Sequence, residues 1–311
     1  MKALDAVILL FLFLVLAVGL GLLWLNIPGL PGQPFKEQEF NINKTELNYE
    51  TKGVQFYPNM RYRDKIISYS VSNSCDLAKK KDVERAFAFL AERTILDFKE
   101  SPNGELSILC SEIAPEPEEK GHFVAGEGGP SEIINTTTFS VILSGKVSLY
   151  RRTNECVRPN VAIHEILHAL GFDHNNNAES IMYPVTDCDQ ILDTYIVNEI
   201  NSLYSTESAS DLMIEKVRAS QTGKYLNFEI TIGNFGLKDS PGSNLIIYSD
   251  DTEVKTFVLE EIEIGTRKIL NVTNLRVPLS FENLEFEVKS SEKEIDKRNN
   301  IVELKLEEIG Q

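Results

Sequence analysis

His164-Glu165-Ile166-Leu167-His168-Ala169-Leu170-Gly171-Phe172-Asp173-His174 decides how this chain is read. Residues four apart on a helix share a face about one turn apart, so His164 and His168 can aim two imidazoles at one ion. Glu165 stands beside the first of them, where its carboxylate can reach a water on that ion. Gly171 can adopt φ > 0, end the helix and turn the chain back, so that His174 completes a tripod. Three protein ligands with one exchangeable position is the arrangement of a catalytic zinc (Zn2+), with Zn–N near 2.0–2.1 Å, and not of a structural one.

The competing reading is a core helix with accidental histidines, because a bare HExxH arises by chance. The chain has four histidines, and three fall inside this stretch. A core helix has no need of the glycine or of the third histidine. The extended pattern therefore favours a metal site.

With the sequence Ser180-Ile181-Met182-Tyr183-Pro184 downstream, the stretch resembles the metzincin clan of zinc metallopeptidases, whose second mark is a methionine turn. Met182-Tyr183-Pro184 is most similar to the matrixin branch. Arg61-Tyr62-Arg63, the segment Ile66-Ile67-Ser68-Tyr69-Ser70 and the helix around Phe87 and Phe89 also resemble matrixin catalytic domains. The resemblance runs over about residues 56–204. It implies His164, His168 and His174 as zinc ligands and Glu165 as general base for peptide-bond hydrolysis. It also implies Met182 as an apolar floor and Tyr183 and Pro184 as a wall of the substrate pocket. In this clan the strand before the zinc helix borders the cleft and pairs with extended substrate, which puts that edge within residues 133–149. No cysteine-switch sequence is found. Asn175 stands where serine is usual, a departure expected to matter little. Calcium (Ca2+) stabilises many matrixins, but no ligand cluster for it stands out.

The remainder of the 311-residue chain is organised around this domain. Forty-seven acidic against 31 basic side chains give a net charge of −16 without any basic patch, which argues against nucleic acid as a partner. Residues 6–25 form an uncharged apolar run, about 30 Å as a helix, which suits a bilayer's hydrocarbon. A signal peptide's apolar core is shorter, at about 7–15 residues. The expectation is therefore an N-terminal transmembrane helix (1–27), with a cleaved, secreted form as the alternative. An extracytoplasmic stalk rich in proline and glycine follows (28–55). Four cysteines suit an exported domain with two disulfides and allow three connectivities; the one favoured is Cys75–Cys110 with Cys156–Cys188, which would tie the segment before the zinc helix to that after the methionine turn.

Residues 56–205 are expected to form an α+β catalytic domain, a twisted mixed sheet with helices. Its helices are read at 79–98, 160–170 and 191–203, and its strands at 65–71 and 106–110. The glycine-rich segment 126–130 follows no phosphate-loop pattern. His122, outside the motif, is assigned no role.

Past a polar linker, Leu226, Phe228, Ile230 and Ile232 alternate with polar residues. Further short strands near 245–248, 256–259, 269–273, 284–288 and 302–306 argue for an all-β sandwich of immunoglobulin type over 206–311. Asn234-Phe235-Gly236 and residues 295–300 resemble cell-adhesion-related (CARDB-like) domains of prokaryotic surface proteins, which implies a cell-surface partner. The functional expectation is a membrane-anchored zinc endopeptidase acting on extracytoplasmic peptides or proteins. The alternative is a catalytically silent surface binding protein.

Overall fold

The structure, a computed structural model, describes residues 3–24, 33–34, 38–39, 55–117, 123–150 and 156–305. A helix, α1 (Ala3–Trp24), forms over the N-terminal apolar run. The expected membrane crossing is not supported: among the described residues no helix is long and apolar enough to cross a membrane. The side chains described on α1, those of residues 10–22, are exposed. Most of the expected stalk lies outside the described residues, as does His122. Two short strands, β1 (Gln33–Pro34) and β2 (Gln38–Glu39), are described there, and both pair with a strand of the sandwich.

The domain expected to be catalytic is built on a six-stranded mixed sheet. Its strands are β3 (Met60–Tyr62), β4 (Ile66–Val71), β5 (Asp97–Glu100), β6 (Leu106–Cys110), β7 (Gly126–Asn135) and β8 (Ser140–Leu149). β3 and β6 lie parallel to β8 at successive stretches of one side, and β7 runs antiparallel along the other. Among the described residues β7 is therefore an open edge. Helix α2 (Leu77–Ala91) begins at Asp76, whose side chain accepts the Lys79 amide at 2.7 Å. Val83, Ala86, Phe87 and Leu90 are its buried stripe, and Phe87 stacks on Tyr69 at 4.1 Å.

The expected helix over 79–98 is too long. Thr94 donates through both its amide and its hydroxyl to the Leu90 carbonyl, which closes the last turn. The chain then joins the sheet as β5, parallel to β4, so Phe98 meets Phe87 from a strand, at 4.6 Å. Ile95, assigned to the helix's apolar face, is exposed. Sheet pairing outweighs a propensity that is weak residue by residue. The remaining helices are α3 (Asn160–Ala169) and α4 (Thr194–Ser205). The Cys75–Cys110 and Cys156–Cys188 disulfides are both formed.

The second unit is a β-sandwich. One sheet is β9 (Leu212–Thr222), β10 (Tyr225–Asn234) and β13 (Arg267–Arg276), with β1 and β2 against β9. The other has the order β12 (Thr252–Leu259), β11 (Ser243–Ser249), β14 (Asn283–Ser290), β15 (Ile301–Lys305). Side chains of alternating residues fill the space between them, among them Phe228, Ile230 and Ile232 from one sheet and Leu245, Ile247, Phe286 and Val302 from the other. The sequence reading did not include β9.

Candidate metal centre

Helix α3 buries Ile163, Ile166, Leu167 and Leu170 in the core, which fixes its rotation and turns His164, Glu165 and His168 to the cleft. Its end is built by backbone hydrogen bonds. The Gly171 amide donates to the His168 carbonyl at 2.9 Å and the Phe172 amide to that of Leu167 at 3.0 Å, while Gly171 takes φ +97°. This is the Schellman arrangement, with glycine at the left-handed position. Phe56 donates its amide to the Gly171 carbonyl at 3.0 Å, holding the reversed chain. The turn brings His174 back over the helix.

The three histidines meet. Their Nε2 atoms are 3.0 Å (His164–His168), 3.0 Å (His168–His174) and 3.2 Å (His164–His174) apart. His164 Nδ1 lies 2.6 Å from the Ile181 carbonyl and His168 Nδ1 lies 2.7 Å from that of Phe172. A carbonyl only accepts, so each Nδ1 carries the proton and each opposing Nε2 presents a lone pair. Burial is the main cause that lowers the His164 pKa, to about 3, with His168 adding to it. Burial likewise lowers His168 to about 4 and moves His174 down. These are neutral rings. Two such lone pairs, with His174 Nε2 converging on the same point, fit a tetrahedral zinc, for which Zn–N of about 2.0–2.1 Å sets N···N at about 3.3–3.4 Å.

Glu165 is buried, and its pKa is raised to about 8, first by desolvation and then by the charge of Glu127. Glu127 lies on β7 and accepts the Tyr150 hydroxyl at 2.5 Å. Met182 is fully buried. Ile181, beside it, supplies the carbonyl that holds His164, so the methionine turn orients a ligand directly.

Around the site is a cleft of about 1100 Å³, bordered by Gly126, Glu127 and Gly128 on one side and by residues 184–188 on the other. Pro184 lines it; Tyr183 does not. Gln190 holds the far wall by donating to the Val185 carbonyl at 2.8 Å. Asn160 donates to that of Asp187 at 2.6 Å, and the Cys156–Cys188 disulfide closes the same wall. The bordering strand begins at Gly126, earlier than the region 133–149 to which resemblance assigned it.

Several contributors were not read from the sequence. Gly126 and Gly128 admit β7 against Glu165, because a side chain at either position would collide with that residue. Asn175 contributes more than expected. Its amide donates to the Met182 carbonyl at 3.0 Å, and its Nδ2 donates to Ser180 Oγ and to the Tyr195 hydroxyl, both at 2.6 Å. Ser180 in turn accepts the Met182 amide at 3.0 Å and donates to buried Asp193. This network ties the residue after His174 to the methionine turn. Polar residues around a motif carry no period, so only the spatial arrangement reveals them.

Comparison with known proteins agrees with this architecture. Residues 61–205 match the Matrixin family model and residues 209–308 match the CARDB model. Stromelysin-1 of Rattus norvegicus is 32% identical over 171 residues, 50% of this chain and 35% of that protein. Macrophage metalloelastase of Oryctolagus cuniculus is 29% identical over 133 residues, 40% of this chain and 28% of that protein. The chain thus spans about a third of the length of the curated relatives it matches. A solved CARDB domain from Pyrococcus furiosus, crystallised with di-metal ions, covers 31% of this chain and 86% of its own at 18% identity and a TM-score of 0.27. A likeness of that size adds nothing to the fold already described. This chain carries a matrixin domain at residues 61–205 and a CARDB domain at residues 209–308.

Proposed function

We propose that the chain is a zinc-dependent endopeptidase that hydrolyses peptide bonds of extracytoplasmic peptides or proteins, with Glu165 as its general base. One observation carries this reading: three uncharged imidazole nitrogens within 3.2 Å of one another beside a buried carboxylate. Lone pairs so close repel unless a cation lies among them, and the matrixin family implies zinc. His164, His168 and His174 would hold it; when bound, zinc supplies Lewis acidity and lowers the pKa of a water toward about 7.

The chain's own residues do the remaining work. Glu165 accepts a proton from the attacking water as the water oxygen bonds to the scissile carbonyl carbon. It then delivers that proton to the amide nitrogen as the C–N bond breaks, leaving a carboxylate and an amine. Glu165 accepts this proton in its ionised form, which a cation held by the three histidines would favour over the protonated form that burial alone prefers. The open border at Gly126–Gly128 offers backbone groups to an extended substrate, while the wall at 184–188 limits side-chain size.

Digestion of casein or a peptide library by the purified chain tests this. Cleavage should stop with a chelator and resume with zinc, and cleavage indifferent to chelator would refute the reading.

The same proposal locates both domains outside the cytoplasm, attached to a lipid bilayer through residues 6–25, or secreted if that segment is removed. The uncharged apolar run supports attachment, and two disulfides suit an oxidising compartment. The CARDB domain would then present a binding surface to a cell-surface partner. Recovery of the chain in the membrane fraction after alkaline extraction is expected for the anchored form. Recovery only in the cytosol would refute both locations.

A further inference from the structure

We infer that Gly126 is a positioning residue for Glu165: the space left by its missing side chain sets where the carboxylate stands. This rests on the peptidase reading above. β7 crosses α3 at Glu165. A Cβ at Gly126 would lie 2.6 Å from Glu165 Cγ, 2.9 Å from Oε1 and 3.0 Å from Cδ. Carbon atoms in favourable contact are about 3.5–4.0 Å apart, so a methyl group here and the present Glu165 rotamer exclude each other. All three atoms belong to the Glu165 side chain. Relief therefore comes from swinging the carboxylate, with the helix and the histidines left in place.

Two neighbouring glycines make the case specific. Gly128 faces the same way, as residues two apart on a strand do, but a Cβ there would overlap the Glu165 carbonyl oxygen. Relief at Gly128 requires the strand to lift off the helix backbone, so it governs the seating of β7. At Gly129 a Cβ meets nothing within 4 Å. One strand thus contains a glycine that leaves room for a side chain, one that leaves room for a backbone, and one with open space around it.

The experiment measures kcat and KM for peptide cleavage, with zinc affinity by chelator competition. The proteins are the parent chain, Gly126→Ala, Gly129→Ala, Glu165→Gln and the Gly126→Ala/Glu165→Gln pair. Gly126→Ala should lower kcat about 10²-fold, the size expected for a reacting group displaced by about 1 Å. Its KM should stay within about threefold and its zinc affinity at the parental value. Gly129→Ala should match the parent, and in the Glu165→Gln background the glycine change should cost nothing more.

Parental kcat in Gly126→Ala overturns the inference. So does a kcat loss matched by lost zinc affinity, or the same fold-loss in the Glu165→Gln background. If Gly126→Ala does not fold, Gly126→Ala/Glu165→Ala removes the three atoms the methyl would meet and should regain parental zinc affinity and Tm; failure to do so also overturns it. A parent without zinc-dependent turnover sinks the peptidase reading and this inference together. An active parent with an equally active Gly126→Ala removes only the inference.

Discussion

Two sets of buried polar groups, one in each domain, face different things. In the sandwich, Asn234 Nδ2 donates to the Ile262 carbonyl at 2.9 Å, and the Glu294 carboxylate accepts from the Leu212 amide at 2.9 Å and from Asn300 Nδ2 at 3.0 Å. Each of these donors meets an acceptor, and the result is loops held to strands. In the matrixin domain the outward nitrogens of His164 and His168 are satisfied by carbonyls, while their inward nitrogens face each other and His174. Lone pair against lone pair is a conflict that the fold alone would remove. Its presence in an otherwise well-packed core marks a place kept for a ligand.

The sharpest way to break this contrast is to alter the proton carrier and keep the tripod. Glu165→Gln is nearly the same size but cannot take a proton. Turnover should fall about 10²–10⁴-fold, with zinc content at the parental level by metal analysis. A variant that cleaves at the parental rate would remove Glu165 from the mechanism.

The conflict should also appear in the pH dependence of the metal-free chain. Folded His164 and His168 titrate at about 3 and about 4, against 6.5 when unfolded. Over that interval the unfolded chain binds more protons, so stability falls as pH drops from 6.5. Glu165 acts in the other direction, with a folded pKa of about 8 against 4.5. Its contribution is present below 4.5 and is lost as pH rises to 8. In unfolding scans with chelator, Glu165→Gln should therefore gain stability over the parent as pH rises from 5 to 9. A constant difference across that range would contradict the buried, protonated carboxylate.

The sandwich should respond to packing instead. Phe286 is fully buried and meets Phe228 edge-on at 5.2 Å. Phe286→Ala should cost about 3–5 kcal/mol in denaturant unfolding, with zinc affinity at the parental value. A matching loss of zinc affinity would show that the contrast between the domains is drawn in the wrong place.

What the sequence disclosed follows from which constraints are periodic. The His164–His174 spacing encodes helix geometry and a left-handed turn, so the meeting of three rings can be read from one stretch. Alternation in residues 226–232 shows a half-buried strand for the same reason. β7 was hidden because glycine and proline normally signal turns. Here Gly126 and Gly128 are needed for close approach to Glu165, and Pro130 is tolerated on an open edge. The end of α2 was misplaced because its apolar spacing continues by chance to Ile95, where the sheet has already claimed the chain. The apolar run was legible as a helix, and α1 (Ala3–Trp24) forms over it, because an uncharged run carries its own signal.

The finest test compares two asparagines. Asn300 Nδ2 bridges the Val288 carbonyl and Glu294, so it holds sandwich backbone. Asn175 holds the residue after His174 to Ser180 and Tyr195, and through Ser180 to Asp193 and the Met182 amide. Both are ordinary hydrogen-bonding side chains, and what separates them is the group each one orients. Removing a partner of this kind from a metal site typically costs 10–100-fold in affinity. Asn175→Ala should therefore weaken zinc binding by about that factor in chelator competition, while Asn300→Ala lowers Tm and leaves zinc affinity unchanged. Asn175→Ser, shorter but still a donor, should recover part of the loss. If Asn175→Ala binds zinc like the parent, His174 is held by the Gly171 turn alone, and the network under the methionine turn has a packing role like that of its counterpart in the sandwich.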